Sequence, residues 1–261
     1  MSGKLILVSP PPGQPASGER APIVCPVCSG AGGRQVERPS LIRPGHTIMR
    51  WEECECVIEK RRRGQSRLER QRRVREVRAQ LQQIPPRFAR ARLVGLRADS
   101  DRHEHQAEVI AHVQRQPDAS YLFTGANGTG KTHFAYALAR QAAIGGRRLI
   151  ACKLSELLGE YRDQALDAQA DEPRVRPDDL RQSKAKYTLL LDEIEKVRPT
   201  PFAVEMFFAL VDAAYHYSHQ LLATSNFTVK QLVSHWGKLD PTFGKSIMRR
   251  YVETCSVIEM A

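Results

Sequence analysis

The sequence predicts an α/β fold: a parallel five-stranded sheet with helices on both faces, preceded by a small cysteine-rich module and a basic linker helix. Three observations carry that expectation. Beyond about Leu93, short apolar runs bounded by turn residues alternate with helix-forming segments, the pattern of strands buried on both faces of a parallel sheet. One such run, SYLFTG, leads straight into a glycine-rich turn and a helix. Ahead of this region lie four of the six cysteines and a stretch that holds the entire excess of positive charge.

The 261 residues suffice for one full-sized domain and a smaller appendage. With 41% hydrophobic and 26% charged residues, the composition suits a globular chain rather than a disordered one. No apolar run approaches the roughly 20 residues a membrane helix needs. KLILVS near the N-terminus is too short for a signal-peptide core. A cytoplasmic protein with no membrane partner is therefore expected, and reduced thiols with it.

In chain order, residues 1–20 cluster Pro, Gly and Ser and are expected to form a disordered tail. Residues 21–58 form the cysteine-rich module, with CPVC and CEC separated by short strand-like pieces. Residues 59–84 lack Pro and form the linker helix. On it Val74, Val77, Leu81 and Ile84 make an apolar stripe that docks the helix on its own protein. From Lys60 to Arg92 there are 13 Lys or Arg and two acids, while the other 27 basic residues are matched by 27 acids. Such a concentrated face attracts polyanions, a nucleic acid or an acidic partner; a solvated helix face is the plainer alternative.

IPPRF breaks the helix, and residues 85–261 carry the α/β domain. SYLFTG is its first strand, and HFAYALARQAAIGG a helix ended by Gly145 and Gly146. RRLIACK, KYTLLLDE, HQLLATSN and CSVIEM are the next four strands. The insert from Lys153 to Arg181 is long and charged, with room for an extra helix or two.

The chemistry is concentrated at three strand ends. Gly125 to Thr132 reads GANGTGKT, which matches GxxxxGK[ST] in its required strand–turn–helix setting. Backbone N–H groups of Gly125, Ala126, Asn127, Gly128, Thr129 and Gly130 would cradle phosphate oxygens, with His133 just beyond on the helix. Lys131 reaches the β- and γ-phosphates, and the Thr132 hydroxyl ligates Mg²⁺. LLLDEIEK delivers Asp192 to hold Mg²⁺ through water and Glu193 to orient or deprotonate an attacking water. In LLATSN, Asn226 holds the same water from the other side. The pair of acids argues for ATP hydrolysis over passive binding.

In this order and spacing the motifs resemble the P-loop AAA+ (ASCE) ATPases. More closely, GANGTGKTHFAYALA, LLLDEI, ATSNF and IPPRF resemble the helicase loaders of the DnaC/DnaI type and the related IstB transposition helpers, over roughly residues 21–260. The resemblance implies a reduced lid lacking its sensor arginine, with the fifth strand ending at Met260. It implies self-association through neighbouring ATP sites, with Arg250 or Arg249 of GKSIMRRYVE entering the adjacent site. It also implies Phe88 in an adenine pocket. The expected function is ATP-dependent loading of a hexameric replicative DNA helicase onto single-stranded DNA; the alternative is a transposition helper that assembles on DNA and recruits a transposase. A small-molecule kinase is disfavoured, since no acceptor-binding element accompanies the phosphate loop. Lys153, Tyr161 and Arg162 in the insert offer DNA contacts, which a solvated helix explains equally well.

Cys152 and Cys255 lie in or beside apolar strands and read as core residues. Cys25, Cys28, Cys54 and Cys56 form C-x2-C followed by C-x-C, a set able to close a tetrahedral Zn²⁺ site, with SGAGG permitting the turn round the metal and His46 as a substitute ligand. A redox pair or a vestigial cluster are the competing readings. The resemblance favours zinc, because loader-like proteins often carry a cysteine-rich module ahead of a basic helix.

Overall fold

The structure is a computed structural model and describes residues 25–39, 47–93, 104–167 and 169–260. The expected N-terminal tail and His46 lie outside the described residues. The chain divides into two compact units, 1–71 and 72–261.

In the first unit, β1 (Gly33–Pro39) and β2 (Thr47–Glu53) pair antiparallel, Gly33 opposite Glu53. The helix α1 (Glu55–Leu81) begins directly after them and runs on into the second unit. It starts before the expected residue 59 and ends before 84, because the acidic Glu55 opens its first turn and the backbone tightens ahead of Pro85 and Pro86. No residue of α1 is buried. The expected apolar stripe is thus only partly used: Val74 is exposed, Val77 and Leu81 are half-buried, and only Ile84, beyond the helix, is core.

The second unit holds a sheet of five parallel strands in the order β4-β5-β6-β3-β7. These are β3 (Ser120–Gly125), β4 (Arg148–Lys153), β5 (Tyr187–Asp192), β6 (Gln220–Ser225) and β7 (Cys255–Met260). Every residue of β5 and β6 is buried, which accounts for their unbroken apolar runs, whereas the edge strand β7 alternates. Cys152 and Cys255 are buried within this core.

Helices α2 (Glu104–Arg115), α3 (Lys131–Gly145), α4 (Leu154–Leu166), α5 (Pro177–Gln182), α6 (Pro201–His216), α7 (Val229–Trp236) and α8 (Pro241–Thr254) make the crossovers and form two apolar layers. Local signals set their ends. Thr200 accepts from the Ala203 N–H at 3.2 Å ahead of Pro201, and Asp240 accepts from the Thr242 N–H at 2.7 Å ahead of Pro241. Gly146, left-handed at φ 100°, closes α3 while the Arg147 N–H reaches back to the Ala142 carbonyl.

The open edge of β4 is covered by side chains. Gln80 Oε1 accepts from the Leu149 N–H at 3.0 Å and Gln83 Oε1 from the Ala151 N–H at 3.1 Å. Gln83 Nε2 donates to the Leu149 carbonyl at 2.7 Å. Two glutamines thus stand in for a neighbouring strand, removing a site for unwanted pairing. Docking of this segment rests on amides as much as on Leu81 and Ile84.

Candidate functional site

The strand order places β6 between β5 and β3, so three parallel strands end side by side and their loops converge. At the end of β3, Gly125 lies opposite Met260 in β7. With φ 131°, it leaves no room for a side chain: a Cβ would meet the Met260 carbonyl oxygen at 1.9 Å. Gly130, also left-handed, turns the chain into α3. Ala126, Asn127 and Gly128 are exposed on the loop. Thr129 is buried, its hydroxyl donating to the Ala126 carbonyl at 3.1 Å. Lys131 folds back on the loop and donates to the carbonyls of Gly125 at 2.8 Å and Ala126 at 2.5 Å. Burial lowers its pKa, against the pull of Glu195 and Asp192.

The acidic side of the site comes from β5. Asp192 is buried, and its Oδ1 accepts from the Thr132 hydroxyl at 3.2 Å and from the Thr224 hydroxyl. Burial pushes the Asp192 carboxyl up, with the two hydroxyls opposing. This juxtaposition brings together the two groups expected to hold Mg²⁺. Thr132 offers a hydroxyl and Asp192 a carboxylate, hard oxygen donors suited to that ion.

Glu193 sits at φ 55° and donates its N–H to the Thr224 hydroxyl at 3.1 Å. Its Oε1 meets Lys196 Nζ at 2.5 Å and its Oε2 meets Lys153 Nζ at 3.0 Å. Partial burial opposes ionisation, but the two ammonium groups hold the carboxyl below its ordinary value. Asn226 follows β6 but bonds neither acid of the DE pair: its Nδ2 donates to Glu195 Oε1 at 2.6 Å.

A cleft of about 270 Å³ joins these groups, lined by Asn127, Gly128, Gly130, Lys131, Thr132, His133, Glu193, Glu195, Thr224, Ser225 and Asn226, with Arg87 and Phe88 on one wall. Phe88 stacks on Tyr136 with ring centroids 4.8 Å apart. With Arg87, Thr132 and Glu193 it also borders an adjoining cleft of about 310 Å³. Phe88 therefore lines both clefts, packed against His133 and Tyr136 of α3.

The expectation for Tyr161 in the insert needs revision. Tyr161 is buried, with its hydroxyl on the Val175 carbonyl, and has no free ring face for a base. It sits on the inner side of α4, among Leu154, Leu157 and Leu158. Lys153 is engaged by Glu193, while Arg162 is exposed. Of the two arginines of α8, Arg250 binds Asp212 at 2.6 Å and covers the Phe208 ring at 4.6 Å. Arg249 is the more exposed, in an i,i+4 pair with Glu253.

Sequence reasoning missed Glu195, Lys196 and Thr224. The third acid in LLLDEIEK was the available signal: after the strand, the turn Ile194–Lys196 brings Glu195 back to the cleft.

The first unit holds a separate cluster. The sulfurs of Cys25, Cys28, Cys54 and Cys56 all lie within 4.8 Å of one another, with Cys25–Cys54 at 3.7 Å and Cys28–Cys56 at 3.5 Å. Tetrahedral Zn–S bonds of about 2.3 Å place sulfurs about 3.8 Å apart, so the set fits the ion. The Ser29 N–H binds the Cys25 carbonyl and the Cys54 N–H the Gly32 carbonyl, joining the two knuckles. Backbone N–H groups of Cys28 and Val27 bring the Cys25 thiol down to about 6, while neighbouring thiols Cys28 and Cys54 push Cys56 up to about 12. A bound divalent cation would neutralise thiolates gathered this closely.

A phosphate loop, an Asp-Glu strand end and a β4-β5-β6-β3-β7 parallel sheet define this chain as a P-loop ATPase of the AAA+ type. The chain belongs to the IstB-like ATP binding protein family, whose model matches residues 58–261. Among solved structures it is similar to the DnaC helicase loader, at 16% identity and TM-score 0.54, covering 68% of this chain and 100% of that one. It is similar to DnaI at 20% identity and TM-score 0.52, covering 68% and 92%. AMPPCP-bound DnaA from Aquifex aeolicus matches at 17% identity and TM-score 0.51, covering 68% and 51%. No curated protein matches. No helix among the described residues is long and apolar enough to cross a membrane.

Proposed function

We propose that this ATPase is a cytoplasmic loader of a hexameric replicative DNA helicase onto single-stranded DNA. The observation that carries the reading is the four-sulfur cluster ahead of the ATPase domain. Loader-like relatives often have a cysteine-rich adaptor at that place, and transposition helpers usually do not. The basic stretch from Lys60 to Arg92 suits contact with DNA or an acidic surface on the helicase.

In this reading Cys25, Cys28, Cys54 and Cys56 hold Zn²⁺ as a structural staple. The loop from Gly125 to Gly130 and the N-terminus of α3 bind the phosphates of ATP, with Lys131 turning from its carbonyl partners toward them. Thr132 and Asp192 hold Mg²⁺, which supplies charge neutralisation at the phosphates. Glu193 and Asn226 order the attacking water. Binding of ATP drives self-association, in which Arg249 or Arg250 reaches a neighbour's site, and hydrolysis releases the loader.

The family match supports a second reading, a transposition helper that assembles on DNA and recruits a transposase. Pull-down against a hexameric helicase, with and without ATP, separates the two. An ATP-dependent complex supports the loader; no complex in either state, with tight binding to duplex DNA, supports the helper. Lys131→Ala should abolish nucleotide binding, and Glu193→Gln should trap ATP; turnover preserved in both would refute the site assignment.

A further inference from the structure

Glu195 is the acid in the cleft with no role in the assignment above. The residue is 7% exposed, and one carboxylate oxygen is held by Asn226 at 2.6 Å. The other, Oε2, is buried without a hydrogen-bond partner. A buried carboxylate oxygen left unpaired is costly, and such groups mark places where a ligand or water completes the bonding. Glu193 differs in that both its oxygens are taken, by Lys196 and Lys153.

An ionised carboxylate only accepts, so the Asn226 amide must direct its NH2 group at Glu195. This fixes the orientation of the amide, and both residues line the cleft. The two side chains thus form one unit across the ends of β5 and β6.

We propose that Glu195 is a second catalytic carboxylate of the ATPase, acting as a base toward water: its free Oε2 accepts a hydrogen bond from the attacking water, while its Oε1 orients Asn226 against that water. The inference rests on the ATPase assignment and adds a residue to it. In the step, the water oxygen bonds to the terminal phosphorus as the bond to the ADP oxygen breaks, and its electron pair leaves with ADP. The water proton passes to Glu195 and then to the departing phosphate, so the carboxylate is regenerated.

The test compares wild type, Glu195→Gln and Glu195→Gln/Asn226→Ala by steady-state turnover, by binding of a fluorescent ATP analogue, and by the ATP retained on the protein after gel filtration. Glu195→Gln should lower kcat about 100-fold or more, within the range of general acid–base effects, with analogue affinity unchanged and ATP retained. Adding Asn226→Ala should cost little more, because the two act together. Turnover near wild type, or a matching loss of affinity, overturns the proposal. Should Glu195→Gln fail to fold, Glu195→Asp keeps the charge and withdraws the oxygen by one methylene; wild-type turnover in it is equally fatal. If wild type itself binds no ATP, the ATPase assignment fails instead.

Discussion

Replacing Gly125 with Ala tests whether the phosphate loop is locked to the sheet by backbone packing. The new Cβ would lie 1.9 Å from the Met260 carbonyl oxygen and 2.9 Å from its carbon, so β7 must move. The φ of 131° adds strain of about 1–3 kcal/mol for a residue with a side chain. Together with the broken end of the β3–β7 ladder, the cost should exceed about 3 kcal/mol, a large part of a typical domain's stability. For a unit of this size that lowers Tm by about 6–12 °C or more. Gly128→Ala is the control, since its φ of 86° is strained but nothing lies within 4 Å of the added atom. It should cost only about 1–2 kcal/mol. Thermal unfolding followed by circular dichroism reads both; equal shifts, or a Gly125→Ala Tm within about 2 °C of wild type, would refute the reasoning.

Gln83→Ala removes the acceptor for the Ala151 N–H and the donor to the Leu149 carbonyl, and should cost about 1–3 kcal/mol in urea unfolding; an unchanged midpoint means those bonds are idle. Elemental analysis of the purified chain should give one zinc, lost in Cys28→Ser, and a metal-free preparation with the same near-UV spectrum would remove the staple from the account. His219 accepts from the Tyr187 N–H at 3.2 Å and faces the Leu180 carbonyl at 2.8 Å, so it is neutral in the fold and burial depresses its pKa. The unfolded chain, with a pKa of about 6.5, binds the proton first, so this stability is complete above that pH and is lost as pH falls through the depressed value. His235, depressed by burial too, acts in the same direction. His219→Gln should flatten the acid side of the Tm profile between about pH 7 and 5; an unaltered slope would show that His219 contributes nothing there.

The phosphate loop was legible because its function needs a contiguous run: glycines where the backbone turns, then Lys131 and Thr132 at the start of a helix. The central strands were legible because burial on both faces favours apolar runs, as LLL in YTLLLD and LLA in QLLATS. The gathering of the four cysteines was legible from their C-x2-C and C-x-C spacing, while zinc as the occupant rested on the resemblance. The linker helix was read too generously, since apolar spacing on Val74 and Val77 does not reveal that Val74 stays exposed. Tyr161 was misread for a related reason: an aromatic in a charged segment gives no sign of which helix face it occupies.

What sequence could not supply are the pairs made across the sheet. Thr132 meets Asp192 from 60 positions away, Asn226 meets Glu195 from 31, and Gln83 reaches β4 from 68. Those meetings depend on the strand order β4-β5-β6-β3-β7, which no local pattern encodes. The sequence alone therefore determined the class of chemistry, because each motif carries its own backbone geometry and ligand atoms. Only the tertiary structure decided which acid is tied by lysines and which keeps a free oxygen, because strand neighbours and burial, not residue type, set the partners of a carboxylate.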